Sequence, residues 1–157
     1  MPAEESAEEF TKAKKFSFRL LKVRGRSEAE IKERLRQKEF PDSVIAQTLQ
    51  YLHQMRLVDD RQFAKDWVSA RGEKSFGLRR IASELKQKGI ADEIINEELE
   101  QLRNSHHEEE TAFTLAKQQQ LKRCKNMEKE RAMQRIFQYL AHRGFNPEII
   151  EDTLRKL

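Results

Sequence analysis

His106 and His107 stand directly before Glu108, Glu109 and Glu110, the densest run of metal-ligating residue types in the chain. Imidazole and carboxylate are donors that a zinc-like site uses, but neighbouring residues on a helix point about 100° apart. A third ligand would have to come from elsewhere in the fold. A solvated polar segment is therefore the expected reading, and no metal is expected. Cys124 is the single cysteine, with no Cys or His at ligand spacing, so it reads as a spectator thiol in a reducing compartment. Gly25, Gly72, Gly77, Gly89 and Gly144 are too scattered to form a phosphate-cradling loop. Carboxylates alternate with Lys and Arg, and no nucleophile sits beside a plausible base. The expectation is no catalytic residue, no cofactor and no enzyme.

Charge offers a different chemistry. The formal net charge is +4, yet the first nine residues carry four Glu and no base, so the rest of the chain holds +8. A basic body with an acidic lead-in suggests a polyanionic partner, either nucleic acid or a protein assembled on it. A solvated Lys and Arg surface is the plainer alternative. Two clusters are candidates. Arg71, Lys74, Arg79, Arg80, Lys86 and Lys88 gather around Gly77, with Phe76 among them in a polar turn. Arg80 flanks the apolar Ile81 instead of lying opposite it. Phe76 reads equally as a loop staple or as a contact residue, whereas Phe63 and Trp67 read as core. Further on, Lys117, Lys122, Arg123, Lys125, Lys129, Arg131 and Arg135 face only Glu128 and Glu130 across 111–135, a secondary basic surface.

The elements that must position these residues are repeated. Residues 38–49 (KEFPDSVIAQTL), 88–99 (KGIADEIINEEL) and 143–154 (RGFNPEIIEDTL) say nearly the same thing three times. Upstream of the second copy, Leu78, Ile81, Ala82 and Leu85 fall at i, i+3, i+4, i+7, one face of a helix. Adding 55 gives Met133, Ile136, Phe137 and Leu140. Subtracting 50 leaves only Ile31 and Leu35 apolar. In the helix that follows, Val44, Ile45, Leu49 and Leu52 match Ile94, Ile95, Leu99 and Leu102, then Ile149, Ile150, Leu154 and Leu157.

A further helix precedes each pair. FSFRLLKVRG (16–25) and FAKDWVSARG (63–72) both end on Arg-Gly, where Gly is expected to supply a left-handed stop. FTLAKQQQLK (113–122) lacks that Gly and is expected to be longer and more exposed. Ser27 with Glu30 forms a capping box, Asn146-Pro147 a cap with a first-turn proline, and Asp59 or Asp60 a cap for the helix carrying Phe63. NSHHEEET (104–111) is the most linker-like stretch. The spacing predicts an all-α chain of three tandem three-helix repeats, 13–56, 57–104 and 105–157, behind an acidic N-terminal tail, 1–12. Units this small should pack on their neighbours in an elongated, solenoid-like row.

LVDDRQFAKDWVSARGEKSFGLRRIASELKQKGI (57–90) resembles the RecX family, bacterial regulators of the RecA recombinase. The matching pieces are Asp59-Asp60, Phe63-Ala64, Arg71, Lys74, Gly77, Arg80-Ile81, Glu84-Leu85 and Lys88-Gly89-Ile90. RGRSEAEIKERLRQKEF (24–40) resembles the family's first unit and RIFQYLAHRGF (135–145) its last, while 117–132 fits loosely. The resemblance implies a non-catalytic protein that binds along the RecA–DNA filament and restrains its growth, strand exchange, ATP hydrolysis and coprotease activity in DNA repair and the SOS response. A helix of about 12 residues is about 18 Å long, so three stacked units could span more than one filament subunit. Arg71, Lys74, Phe76, Arg79, Arg80, Lys86 and Lys88 are then the expected partner surface, their charges carried as surface members. Weak, non-specific contact with single- or double-stranded DNA is expected beside it.

Two other readings stay open. Three-helix units also resemble helix-turn-helix modules, which would make the chain a direct DNA-binding protein, though no helix gathers Arg, Asn and Gln for base readout. A helical adaptor for another protein is the second. The opening MPAEESAEEF lacks the order of a signal peptide, and no apolar run reaches the ~18–20 residues of a membrane span. A cytoplasmic monomer without membrane contact is expected.

Overall fold

The computed structural model describes residues 2–105 and 107–157, Pro2 by its backbone alone. Among these residues the regular elements are nine α-helices and no strand: α1 Pro2–Val23, α2 Glu28–Gln37, α3 Asp42–Gln54, α4 Asp60–Glu73, α5 Leu78–Gln87, α6 Asp92–Ser105, α7 Glu108–Arg123, α8 Lys129–Arg143 and α9 Pro147–Arg155. They fall into three successive triplets, as the repeat spacing predicts. Ile31, Ile81 and Ile136 are fully buried at one equivalent position, and Leu35, Leu85 and Leu140 at another. The first repeat's second helix, poorer in apolar residues, still buries the pair that matters.

Each second helix ends by the same device. Glu39, Gly89 and Gly144, equivalent by the spacing, all have positive φ, at 61°, 75° and 92°. This left-handed residue lets the next N–H reach back, so Phe40 N–H donates to Leu35 O at 3.3 Å and Phe145 N–H to Leu140 O at 3.2 Å. Arg56 and Ser75 do the same after α3 and α4, where Leu57 N–H donates to Leu52 O and Phe76 N–H to Arg71 O. The stops expected at Gly25 and Gly72 are not there. Neither has a positive φ, and Gly72 is buried inside α4. The Arg-Gly pattern misled because Ser75, three residues later, takes the strained conformation.

One compact unit comprises residues 2–65 and 86–94. Its core is Ala13, Ile31, Leu35, Val44, Ile45, Leu49, Leu52 and Val58, with Phe10, Phe16, Leu20, Leu21, Phe40 and Tyr51 packed around it. The acidic lead-in is no separate tail, since α1 begins at Pro2. Glu4 and Glu5 in the first turn favour the helix N-terminus electrostatically. Phe10 then anchors this part of the helix, its ring meeting Tyr51 edge-on at 6.1 Å.

The other unit comprises residues 66–85 and 95–157. Its core includes Ala112, Ala116, Cys124, Ala132, Ile136, Leu140, Phe145 and Ile150. Of the stretch read as a linker, residues 104–105 end α6 and residues 108–111 begin α7. At 16 residues α7 buries little more than Ala112 and Ala116, as its Gln-rich sequence suggests. The division between units falls inside α4, α5 and α6, so the middle repeat contributes to both.

Candidate docking surface

The turn between α4 and α5 carries Phe76, and three guanidiniums surround its ring. Arg80 lies 4.2 Å from the centroid, Arg143 4.6 Å and Arg71 5.2 Å. Attraction between a cation and the face of a ring is worth roughly 0.5–2 kcal/mol for each such contact. Glu84, one turn after Arg80 on α5, collects the charges. Its Oε2 accepts from Arg71 Nε at 2.7 Å and from Trp67 Nε1 at 2.9 Å, and its Oε1 accepts from Arg80 Nε at 3.0 Å. Arg71 also lies 4.7 Å from the centre of the Trp67 ring.

The α8–α9 turn closes on this corner through backbone atoms. Gly77 N–H donates to Arg143 O at 2.9 Å and Arg79 N–H to Gly144 O at 3.2 Å. Arg80 Nη1 donates to His142 O at 3.2 Å, and Arg143 donates to the carbonyls of Ser75 and Lys74. A Cβ on Gly77 would stand 2.3 Å from the Gly144 carbonyl, and one on Gly144 2.2 Å from Arg80 Cβ. Both glycines are required by close approach. Glu108, from the supposed linker, accepts from Leu78 N–H at 3.0 Å and so caps α5.

This geometry divides the seven residues expected to form one surface. Arg71 and Arg80 come together around Phe76 as a half-buried scaffold, which corrects the expectation that the two arginines act as surface charges and places Phe76 as a loop staple. Lys74 and Arg79 are exposed beside them and meet no carboxylate among the described residues. Arg79 lines a cleft of about 580 Å³ with Leu78, Arg103, Glu108 and Asn146. Lys86 and Lys88 belong to the other compact unit. Lys86 lies loosely 3.5 Å from Asp92.

Lys88 holds Glu30 at 2.9 Å, and Arg24 holds the same carboxylate at 2.7 Å. Ser27 completes the capping box: its hydroxyl accepts from Glu30 N–H at 3.2 Å and donates to Lys88 O at 2.6 Å. Burial alone would raise the Glu30 carboxyl. Hydrogen bonds from Arg24, Lys88 and the Ser27 N–H outweigh it and bring the group from 4.5 down to about 2. In the same unit Asp60 caps α2 by accepting from Glu28 N–H at 2.9 Å, and burial pushes its carboxyl up.

The secondary basic surface is exposed throughout. Lys117, Lys122, Arg123, Lys125, Lys129, Arg131 and Arg135 are open to solvent, and Lys117 lies over the Phe113 ring. His106 lies outside the described residues. Among those described, no group of three His, Cys, Asp or Glu side chains is placed to hold a metal ion.

One basic segment went unremarked in the sequence. Between Phe10 and Ser27 stand Lys12, Lys14, Lys15, Arg19, Lys22, Arg24 and Arg26, with no acid among them. The charge run itself was the available signal.

The family model described as the first three-helix domain of RecX matches residues 13–52, and that of the second three-helix domain matches 59–99. Regulatory protein RecX of Amycolatopsis mediterranei is 34% identical over 163 residues, spanning 99% of this chain and 91% of its own. That of Chlorobium phaeobacteroides is 34% identical, spanning 93% of each. The chain belongs to the RecX family. A crystal structure of regulatory protein RecX superposes with a TM-score of 0.81 at 25% identity, over 99% of this chain and 76% of that one. RecX from Lactobacillus salivarius gives the same TM-score at 23% identity, over 96% and 97%, and shows the same fold. A regulatory role is therefore that of the RecX family, and the tandem three-helix repeats are its architecture.

Proposed function

We propose that this RecX-family chain binds the RecA–DNA filament as a monomer and restrains its ATP hydrolysis, strand exchange and coprotease activity, with no catalytic step of its own. The observation that carries the reading is the match to both RecX three-helix domains, with relatives aligned over nearly the whole chain. The α4–α5 corner supports it. Arg71, Arg80 and Glu84 fix a rigid base from which Lys74 and Arg79 project, unpaired charges suited to acidic loops or phosphate. The exposed bases of α7 and α8 add weak, sequence-independent attraction to the filament's DNA. Among the described residues no helix is long and apolar enough to cross a membrane. The cytoplasmic location belongs to the proposal and follows from RecA as the partner.

The test is cosedimentation with RecA assembled on single-stranded DNA. The chain should pellet with the filament. Lys74→Glu with Arg79→Glu should reduce this at least tenfold while leaving helix content unchanged, since exposed substitutions shift stability by only ~0.5 kcal/mol each. A folded double variant that pellets as well as the parent would move the docking surface elsewhere. Failure of the parent to pellet would refute filament binding.

A further inference from the structure

The α1 helix has a face that the core does not use. Ala13 and Ser17 are fully buried, and Phe10, Phe16, Leu20 and Leu21 pack on the core around them. On the opposite side Lys15, Phe18, Arg19 and Lys22 fall at i, i+3, i+4, i+7, so all four point the same way. All four are exposed, and neither Lys15, Arg19 nor Lys22 meets a carboxylate among the described residues. The neighbouring bases on the helix and just after it are engaged. Lys12 lies near Glu9, Lys14 sits over the Phe10 and Tyr51 rings, and Arg24 holds Glu30. The outward stripe is unneutralised. Phe18 lies within it, 39% exposed, its ring inclined at 55° to Tyr51 with centroids 6.3 Å apart.

We propose that this face of α1 is a direct contact for single-stranded nucleic acid, with Lys15, Arg19 and Lys22 meeting phosphates and Phe18 offering its ring to a base. Unpaired cations interleaved with an aromatic are what a strand with exposed bases recognises, since every base has a stackable face. Seven residues of helix rise about 10 Å, room for about three phosphates at the roughly 3.4 Å per residue of a stacked strand. A lipid surface fits less well, because the face offers only Phe18 and Val23 for insertion and no continuous apolar stripe. The helix also limits the contact. Glu4 and Glu8 precede the bases on the same outward side, so the surface changes sign before Lys12 and a strand is turned away there.

This contact rests on the filament reading only in sharing nucleic acid as a ligand, and its test uses no RecA. Fluorescence anisotropy with a labelled 20-nucleotide oligo-dT follows the intact chain. Replacing Lys15, Arg19 and Lys22 by Ala should weaken binding at least tenfold and flatten the dependence of log affinity on log salt by about 2, since each single-strand phosphate contact contributes about 0.7. Phe18→Ala should weaken binding about fivefold without changing that slope, with Phe18→Leu as the variant that keeps the packing against Tyr51. Glu4→Gln with Glu8→Gln should tighten it. An unchanged affinity and slope in the triple variant, with binding lost instead on reversing Lys122, Lys125 and Lys129, would overturn the assignment. So would capture by phosphatidylglycerol vesicles without binding to oligo-dT. Neither result would bear on cosedimentation with RecA.

Discussion

Glu84 accepts from two arginines and the only tryptophan, so its removal takes the shared carboxylate from Arg71 Nε, Arg80 Nε and Trp67 Nε1, all half-buried. A fully buried pair broken this way costs roughly 3–5 kcal/mol. Arg71 and Arg80 keep a quarter to a third of their surface in water, so Glu84→Ala should cost about 2 kcal/mol. The melting transition should fall, and Trp67 emission should shift as its N–H turns to water. Glu30 makes a pH-dependent contribution. Its folded value of about 2 lies below the ordinary 4.5, so its stabilisation is fully present above about pH 4.5 and fades as pH falls towards 2. With screening of the partly exposed Arg24 allowed for, this amounts to about 1–2 kcal/mol. Urea midpoints measured between pH 5 and 2.5 should drop more for the parent than for Glu30→Gln, which should be weaker at neutral pH and flatter. The capping box itself was legible as Ser-x-x-Glu. Lys88 as a second partner was not, since only tertiary structure brings residues 58 positions apart together.

The three second helices show what patterning reveals about an element and what it hides. Apolar residues at i, i+3, i+4, i+7 identify α5 and α8, and the Ile31–Leu35 pair alone marks α2, because burial of Ile31, Ile81 and Ile136 requires that period. The early turns of α1 have no such stripe, and charge favours the helix there, so the same logic read them as a tail. Arg71 and Arg80 look like surface charge in the sequence because an arginine's role is set by the carboxylate that the fold brings to it. The left-handed residue after each second helix gives an element-scale test. Glu39 occupies the place that Gly89 and Gly144 hold, at φ 61°. A non-glycine there costs roughly 1 kcal/mol, so Glu39→Gly should raise stability by about 0.5–1 kcal/mol. Gly144→Ala should do the opposite and more strongly, by about 3 kcal/mol, because strain at φ 92° adds to a Cβ 2.2 Å from Arg80 Cβ. Chemical denaturation of the two variants checks both signs.

For the whole molecule, the three-fold repeat and the all-helical class were readable from one sequence, because each repeat solves the same burial problem with the same residues. The distribution of basic residues was harder. Lys86 and Lys88 are close in sequence to Arg79 and Arg80, yet they belong to the other compact unit, and Lys88 is held by Glu30. The α1 bases were hidden by the acids before them, which lower the net charge of the N-terminal stretch. The function proposed for the exposed charges is regulation of the RecA filament, and RecA ATP turnover on single-stranded DNA tests this proposal most directly. Titrating the chain into RecA at fixed DNA should lower steady-state hydrolysis well before one chain is present per RecA subunit. A rate that stays constant up to equimolar chain, under conditions where RecA is assembled on the DNA, would contradict the account.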